Sequence, residues 1–268
     1  MEQVQLERLS VYPIKSLDAA SVSTARLIEN GALEWDRRYA ILDAAGEYVN
    51  GKREQRIHRI RTDYDLERAT VTIRENGGRR ERTYHLDADR SALESWLAEF
   101  FGYEVQVVRN DEGGYPDDTD ASGPTVISTA TLEAVALWFE EIDTVEMRRR
   151  LRSNVELDVP NPFWEDRLYG PPGETVGFDI GSVTFHGNNP CQRCVVPTRD
   201  PDTGEQTAGF RETFIENRER TLPSWANTDW FDHYFRLMVN THIPESEWGK
   251  QLAIGDQVAV GAERYPEN

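Results

Sequence analysis

The sequence predicts an α+β protein, mainly β, built as two β-rich units with a few helices. Short apolar runs recur between Gly, Pro and Asn signals, as strands separated by turns do. Helical spacing is confined to three windows. A polar, breaker-rich stretch at 109–124 parts one set of strands from the next. That order does not describe an alternating βαβ chain.

The elements follow in sequence. Leu6 to Ile14 and Tyr39 to Leu42 read as strands. Thr70-Val71-Thr72-Ile73 alternates and runs into Asn76-Gly77-Gly78, a hairpin signal. A helix is expected from about Ser91 to Phe101, with Leu93, Trp96, Leu97 and Phe100 on one face and Gly102 placed to stop it. Val105 to Val108 returns to strand. Residues 109–124 read as a linker or a long functional loop. Leu132, Val135, Ala136 and Phe139 then predict a second helix, Val183-Thr184-Phe185 a strand, and Asn227 to Met238 a third helix. Leu252 to Val260 reads as two short strands about a Gly-Asp turn. The boundaries expected are 1–110, a connecting loop at 111–123, and 124–268.

Composition narrows the function. The chain of 268 residues carries 48 acidic and 30 basic residues, a net charge of −18. That excess opposes non-specific binding to nucleic acid or anionic membranes, which needs a basic field. The carboxylates are spread along the chain and Lys15, Lys52 and Lys250 are its only lysines, a pattern that suggests adaptation to high salt. No run approaches the roughly 18 apolar residues of a membrane span, and the N-terminus lacks a signal-peptide pattern. Two cysteines fit a reducing compartment. A soluble cytoplasmic protein is expected.

Those cysteines stand together in Asn189-Pro190-Cys191-Gln192-Arg193-Cys194, so thiolate chemistry, if present, happens there. A thioredoxin-like site should open a helix, whereas Val195-Val196-Pro197 follows here. A structural zinc site needs a second ligand pair, and His186, His233 and His242 offer none at the usual spacing. A single thiolate ligand to a soft metal and a plain packing role both stay open. Asp200-Pro201-Asp202-Thr203-Gly204 lacks the third acidic position and closing Glu of a calcium loop and reads as a tight turn. Basic residues cluster at Lys15-Ser16, at Arg37-Arg38 and at Arg148-Arg149-Arg150-Leu151-Arg152-Ser153-Asn154. Such groups build phosphate sites, although any one arginine more often balances a nearby carboxylate. No Walker loop, GxGxxG or Ser-His-Asp arrangement is evident.

Taken in order, Tyr12-Pro13-Ile14-Lys15-Ser16, Asp36-Arg37, Leu151-Arg152-Ser153-Asn154, Trp164-Glu165-Asp166, Cys191-Gln192-Arg193-Cys194 with Asp200 to Gly204, and Ile254-Gly255-Asp256 resemble the MOSC-domain proteins that carry an N-terminal MOSC β-barrel domain. That group includes the amidoxime-reducing components and the bacterial hydroxylaminopurine-resistance proteins. The resemblance implies a MOSC N-terminal β-barrel domain over 1–110 and a MOSC β-barrel domain with a few helices over 124–268. It also implies a molybdenum cofactor (molybdopterin), with a family-level association with pyridoxal phosphate. By resemblance Cys194 is the thiolate to molybdenum. Lys15, Ser16, Arg37, Ser122, Arg152 and Asn154 contact the phosphate end, and Gln192, Arg193 and Tyr234 line the cofactor. The implied reaction is reduction of a small N-hydroxylated substrate. The chain ends near the MOSC boundary, so a separate ferredoxin or flavoprotein is expected to donate electrons. The chain departs from the family at Leu151 and Ser153 in place of Phe and Pro, at Ala121 in place of a hydroxyl residue, and at Arg38-Tyr39 in place of Phe-Trp. A cofactor or sulfur carrier without reductase activity is the alternative, and a globular protein that has lost the cofactor is a third reading.

Overall fold

The computed structural model describes residues 4–118 and 120–266. The chain opens with β1 (Gln5–Val11), β2 (Ala20–Val22) and β3 (Thr24–Arg26), then β4 (Tyr39–Asp43). β5 (Ile60–Asp65), β6 (Thr70–Glu75) and β7 (Arg82–His85) form a three-stranded antiparallel sheet. They are followed by α1 (Arg90–Phe101) and β8 (Val105–Arg109), which pairs with β4. The alternation at Thr70–Ile73 thus forms its hairpin. Leu93, Leu97 and Phe101 of α1 are buried, and Gly102 ends it in the left-handed region at φ +76°, its amide donating to the Ala98 carbonyl. These faces enclose a core with Ile14, Tyr39, Ile41, Val71, Ile73 and Val107.

The second half holds β9 (Val126–Ser128), α2 (Thr129–Ala136), α3 (Thr144–Leu151), β10 (Val155–Asp158), β11 (Glu174–Ile180), β12 (Val183–Gln192) and α4 (Phe210–Arg220). It closes with β13 (Arg236–His242), β14 (Gln251–Ala253) and β15 (Val258–Pro266). The main sheet runs β15-β11-β12-β13-β9-β10-β1-β2. Only the β9–β10 pair is parallel there, so β1 and β2, from the start of the chain, complete a sheet made by its second half. β14 likewise reaches back to pair with β3. One core lies on this sheet around Leu6, Leu9, Phe178, Phe185 and Val239; another gathers α2, α3 and α4 through Leu132, Met147, Phe210 and Phe214. The fold is mainly β, and no helix among the described residues is long and apolar enough to cross a membrane.

One predicted helix is absent. Asn227 to Met238 forms only a 3-10 turn, Thr228–Trp230, capped by Asn227, before Arg236 enters β13. The apolar residues there do not share a helical face. Trp230 donates from its indole to the Gly170 carbonyl at 2.7 Å, while Leu237, Met238 and Val239 are buried in a strand paired with β12. Sheet pairing at long range overrode local spacing. Two helices, α3 and α4, are additional to the sequence reading. In α3 the Asp143 side chain accepts from the Glu146 amide at 2.7 Å, and Arg150 pairs with Glu146 one turn away at 2.6 Å. The arginines fall in its last turn, where cations suit the helix dipole.

Candidate functional site

A cavity of about 730 Å³ opens between the two halves. Of the eleven arginine or lysine side chains that line it, seven are ion-paired, and Lys52, Arg152, Arg193 and Arg199 have no carboxylate within ion-pair distance among the described residues, which leaves an excess of cations. In a chain of net charge −18 that reverses the balance of the whole molecule. Such a concave positive surface concentrates anions.

Tyr12, at the end of β1, is the spine of its wall. The buried ring carries the Arg37 guanidinium 5.0 Å from its centroid and the Arg152 guanidinium at 4.2 Å, and its hydroxyl donates to the Ser153 carbonyl at 3.1 Å. Burial pushes the Tyr12 hydroxyl up to about 12, against the pull of the two arginines, so it stays a neutral donor. Arg152 caps α3 in the left-handed region, and its Nη2 donates to the Leu17 carbonyl at 2.8 Å. Ser16, Arg37, Arg152 and Met238 all have positive φ (74°, 50°, 58° and 73°) and all line the cavity. Each such residue costs of order 1–3 kcal/mol, and strain of this kind gathers at functional sites.

The sulfur atoms form a second wall. Cys191 is the penultimate residue of β12, beside Met238 of β13, where the pairing slips between Pro190 and Gln192. The Arg193 guanidinium joins them: Nη1 donates to Cys191 Sγ at 3.3 Å and reaches Met238 Sδ at 3.5 Å, while Nη2 donates to the Leu151 carbonyl at 2.8 Å. Both Cys191 and Cys194 line the cavity and both thiols are free; Cys191 packs in addition against the helical core.

The Asp200–Gly204 turn locks this segment to the first half. Asp200 accepts from the Asp202 and Thr203 amides at 2.9 and 2.8 Å, as an Asx turn does. Arg149 grips Asp202 through two nitrogens at 2.9 and 2.8 Å, and Arg61 donates to the Pro201 carbonyl at 2.8 Å. Gly204 sits at φ +75° with no room for a side chain, since a Cβ would lie 2.4 Å from the Gln55 carbonyl oxygen. His58 lines the cavity beside this lock. Its burial lowers the imidazole to about 4, and the Arg152 and Arg199 charges act in the same direction, opposed by a bond to the Gly51 backbone.

The expected residues fall into three groups. Ser16, Arg37, Ser122, Arg152, Asn154, Gln192, Arg193 and Cys194 share the cavity lining. Lys15 lies just behind it, its Nζ donating to Asp117 at 2.6 Å and to the carbonyls of Tyr115 and Pro116 at 2.9 and 3.2 Å. Tyr234 is not among the lining residues and stacks on Phe231, with centroids 5.5 Å apart. The Asn154 amide is spent on structure, donating to the Ser10 carbonyl at 3.1 Å and accepting from Thr125. Ser122 donates to the Asn30 carbonyl. Sequence reasoning missed Tyr12 as the support of two arginines, Arg199, Met238 and Asp117. Arg199, eight residues after Cys191, was the one open to notice, because it stands in the same thiol-to-turn segment.

A family model described as MOSC N-terminal beta barrel domain matches residues 3–142, and one described as MOSC domain matches residues 123–259. The molybdenum cofactor sulfurase of Homo sapiens is 24% identical over 258 residues, which cover 79% of this chain and 28% of that protein. That of Drosophila mojavensis is 25% identical over 292 residues, covering 96% of this chain and 35% of its own. The chain therefore spans about a third of the length of these relatives. A crystal structure of the YUAD protein from Bacillus subtilis aligns with 100% of this chain and 98% of its own at 11% identity, with a TM-score of 0.37, too low to bear on the fold. The two domain models, each spanning half of the chain and together nearly all of it, show that the protein belongs to the MOSC-domain family, with an N-terminal MOSC β-barrel domain ahead of its MOSC domain.

Proposed function

We propose that the cavity binds a molybdenum cofactor and that the protein uses it to reduce small N-hydroxylated compounds, with electrons from a separate donor protein such as a ferredoxin or flavoprotein. One observation carries the reading: an arginine-lined cavity in an acidic chain with a free cysteine, Cys194, on its wall. The donor set fits a phosphate-bearing, thiolate-ligated group. Arg152, Arg193 and Arg199 are held by the neutral carbonyls of Leu17, Leu151 and Gly204, respectively, rather than by a carboxylate among the described residues. Their positive charge is therefore uncancelled and available to an anion. The Nε of Arg193 is buried without a partner, which fits a site completed by a ligand.

In this reading Cys194 supplies the thiolate, Lys15, Arg37, Arg152 and Arg199 form the anion site for the phosphate end, and Ser16 and Gln192 add polar contacts along the wall. When bound, the cofactor supplies two-electron redox chemistry and the centre at which an N–O bond is cleaved. The protein holds it in a cavity of fixed positive potential, with arginines rooted by backbone carbonyls so that little reorganisation is needed. His58, neutral near pH 7, adds no further charge beside Arg152 and Arg199.

A second reading, cofactor or sulfur handling without reduction, is favoured by the name of the relatives that cover most of the chain, molybdenum cofactor sulfurase. Turnover of benzamidoxime by cofactor-loaded protein with an artificial electron donor separates the two. Reduction to benzamidine is expected. Stoichiometric molybdenum without turnover would instead favour the carrier, and no molybdenum from a replete host would end both readings.

A further inference from the structure

A carboxylate of the chain itself occupies two cations of the proposed anion site. Asp117, in the loop between β8 and β9, accepts from Lys15 Nζ at 2.6 Å and from Arg37 Nε at 3.3 Å. The two cations are rooted and nearly buried, their side chains 8% and 11% exposed, while the Asp117 side chain is 57% exposed and lines the cavity. With the Tyr115 and Pro116 carbonyls also bound, Lys15 has no N–H left over. Asp36 takes the Nη1 of Arg37. At this end of the cavity Lys15 and Arg37 are thus balanced by Asp36 and Asp117, in contrast to Arg152 across the Tyr12 ring.

We propose, resting on the cofactor reading above, that Asp117 is an internal stand-in for the ligand's phosphate: it holds Lys15 and Arg37 when no phosphate is bound and is exchanged for the phosphate on binding, so that it sets the affinity of this end of the site. A carboxylate presents two oxygens to two donors, as one edge of a phosphate does. It carries one charge where a phosphate monoester carries about 1.5–2 at neutral pH, so the phosphate is the stronger partner for fixed cations. Covalent tethering gives Asp117 a high effective concentration that the free anion has to overcome. Its exposure lets it leave into water, where an ionised carboxylate is well solvated. Although desolvation opposes its charge, Arg37 and Lys15 hold its carboxyl well below the usual carboxylate range, so it competes as an anion at any physiological pH. The next residue supplies a control. Asp118 also lines the cavity, but it accepts from Asn240 Nδ2 at 3.2 Å rather than from a cation.

The test is calorimetric titration of inorganic phosphate into the full-length chain produced without cofactor, at low salt. Asp117→Asn should bind phosphate about five- to tenfold more tightly than the wild type, the scale of freeing two partly exposed ion pairs. Asp118→Asn, which removes the same charge, should change affinity by less than about twofold, since it breaks no ion pair. Adding Lys15→Met to Asp117→Asn should erase the gain, and Asp117→Ala should reproduce it should the asparagine re-form the contact. Equal or weaker binding by both Asp117 variants would overturn the proposal and make Asp117 a positioning residue for Lys15 and Arg37. An equal gain from Asp118→Asn would overturn it too, in favour of a general field effect. Pterin content of the same protein from a replete host keeps the layers apart. Pterin present with no gain in Asp117→Asn fails this proposal alone; no pterin and no phosphate binding in any variant fails the cofactor reading as well.

Discussion

Arg218, on α4, is fully buried and meets a carboxylate: its Nη2 donates to both oxygens of Asp166, at 2.8 and 2.7 Å, with the Phe163 ring 4.7 Å away. Arg152, at the end of α3, meets none; a backbone carbonyl and the face of Tyr12 hold it, and it borders the cavity. Both guanidiniums are fixed, yet only one is neutralised. An arginine kept for structure has its charge cancelled where it stands. One kept for a ligand is oriented by neutral groups, because a carboxylate partner would compete with the ligand. Lys15 and Arg37 stand between these cases, since Asp117 cancels them with a side chain exposed enough to leave.

Substitutions should separate the two kinds of arginine. Arg218→Met would strand the buried Asp166 charge and should cost about 3–5 kcal/mol in chemical denaturation. A smaller loss would mean that Asp166 takes up a proton, and the comparison would weaken. Gly204→Ala tests the lock beneath the sulfur wall. With its close approach to Gln55 and its positive φ it should lose roughly 2 kcal/mol, and lower cofactor content if the lock places Cys194. Arg152→Gly is the sharpest contrast. Glycine suits the left-handed cap, so stability should hold within about 1 kcal/mol, while phosphate affinity falls by about tenfold. Unfolding of this variant, or unchanged binding, would place Arg152 with Arg218.

The smallest effect concerns Glu165, beside the Asp166–Arg218 pair. It is fully buried, with Oε2 accepting from the Thr131 hydroxyl at 2.9 Å and Oε1 without a partner. Burial, and then the adjacent Asp166 charge, push its carboxyl from 4.5 up to about 7. Between those values the folded chain binds a proton that the unfolded chain has released. Its contribution to stability is therefore complete below about pH 4.5 and is lost as pH rises through 7. Thermal melts across that window should show a decline that Glu165→Gln removes; a parallel decline in the variant would assign it elsewhere.

The contrast also explains what could be read in the sequence. Strands with clean alternation, such as Thr70–Ile73, and the helix closed by Gly102 were legible because local period and turn chemistry agree there. The segment 227–238 misled because its aromatic residues satisfy separate tertiary partners while β13 is fixed by β12, much earlier in the chain. At the site, Lys15, Arg37, Arg152 and the cysteines stood out because lysine and cysteine are scarce in this chain and its basic residues are outnumbered by acidic ones. Neither Tyr12 under two arginines nor Asp117 on two cations could be read, since each joins residues far apart in sequence that only the fold brings together. The sequence treated every arginine in Arg148–Arg152 alike. The fold divides them: all four line the cavity, but Arg148, Arg149 and Arg150 pair with Glu156, Asp202 and Glu146, leaving Arg152 without a carboxylate partner among the described residues.

Molybdenum and pterin content per chain shows whether the unneutralised arginines and Cys194 together hold a molybdenum cofactor. Wild type, Cys194→Ser and Cys191→Ser would be produced side by side in a molybdenum-replete host. The wild type should carry stoichiometric molybdenum and pterin, Cys191→Ser near-wild-type content, and Cys194→Ser markedly less molybdenum. Equal loss in both variants, or no molybdenum in the wild type, would contradict this reading.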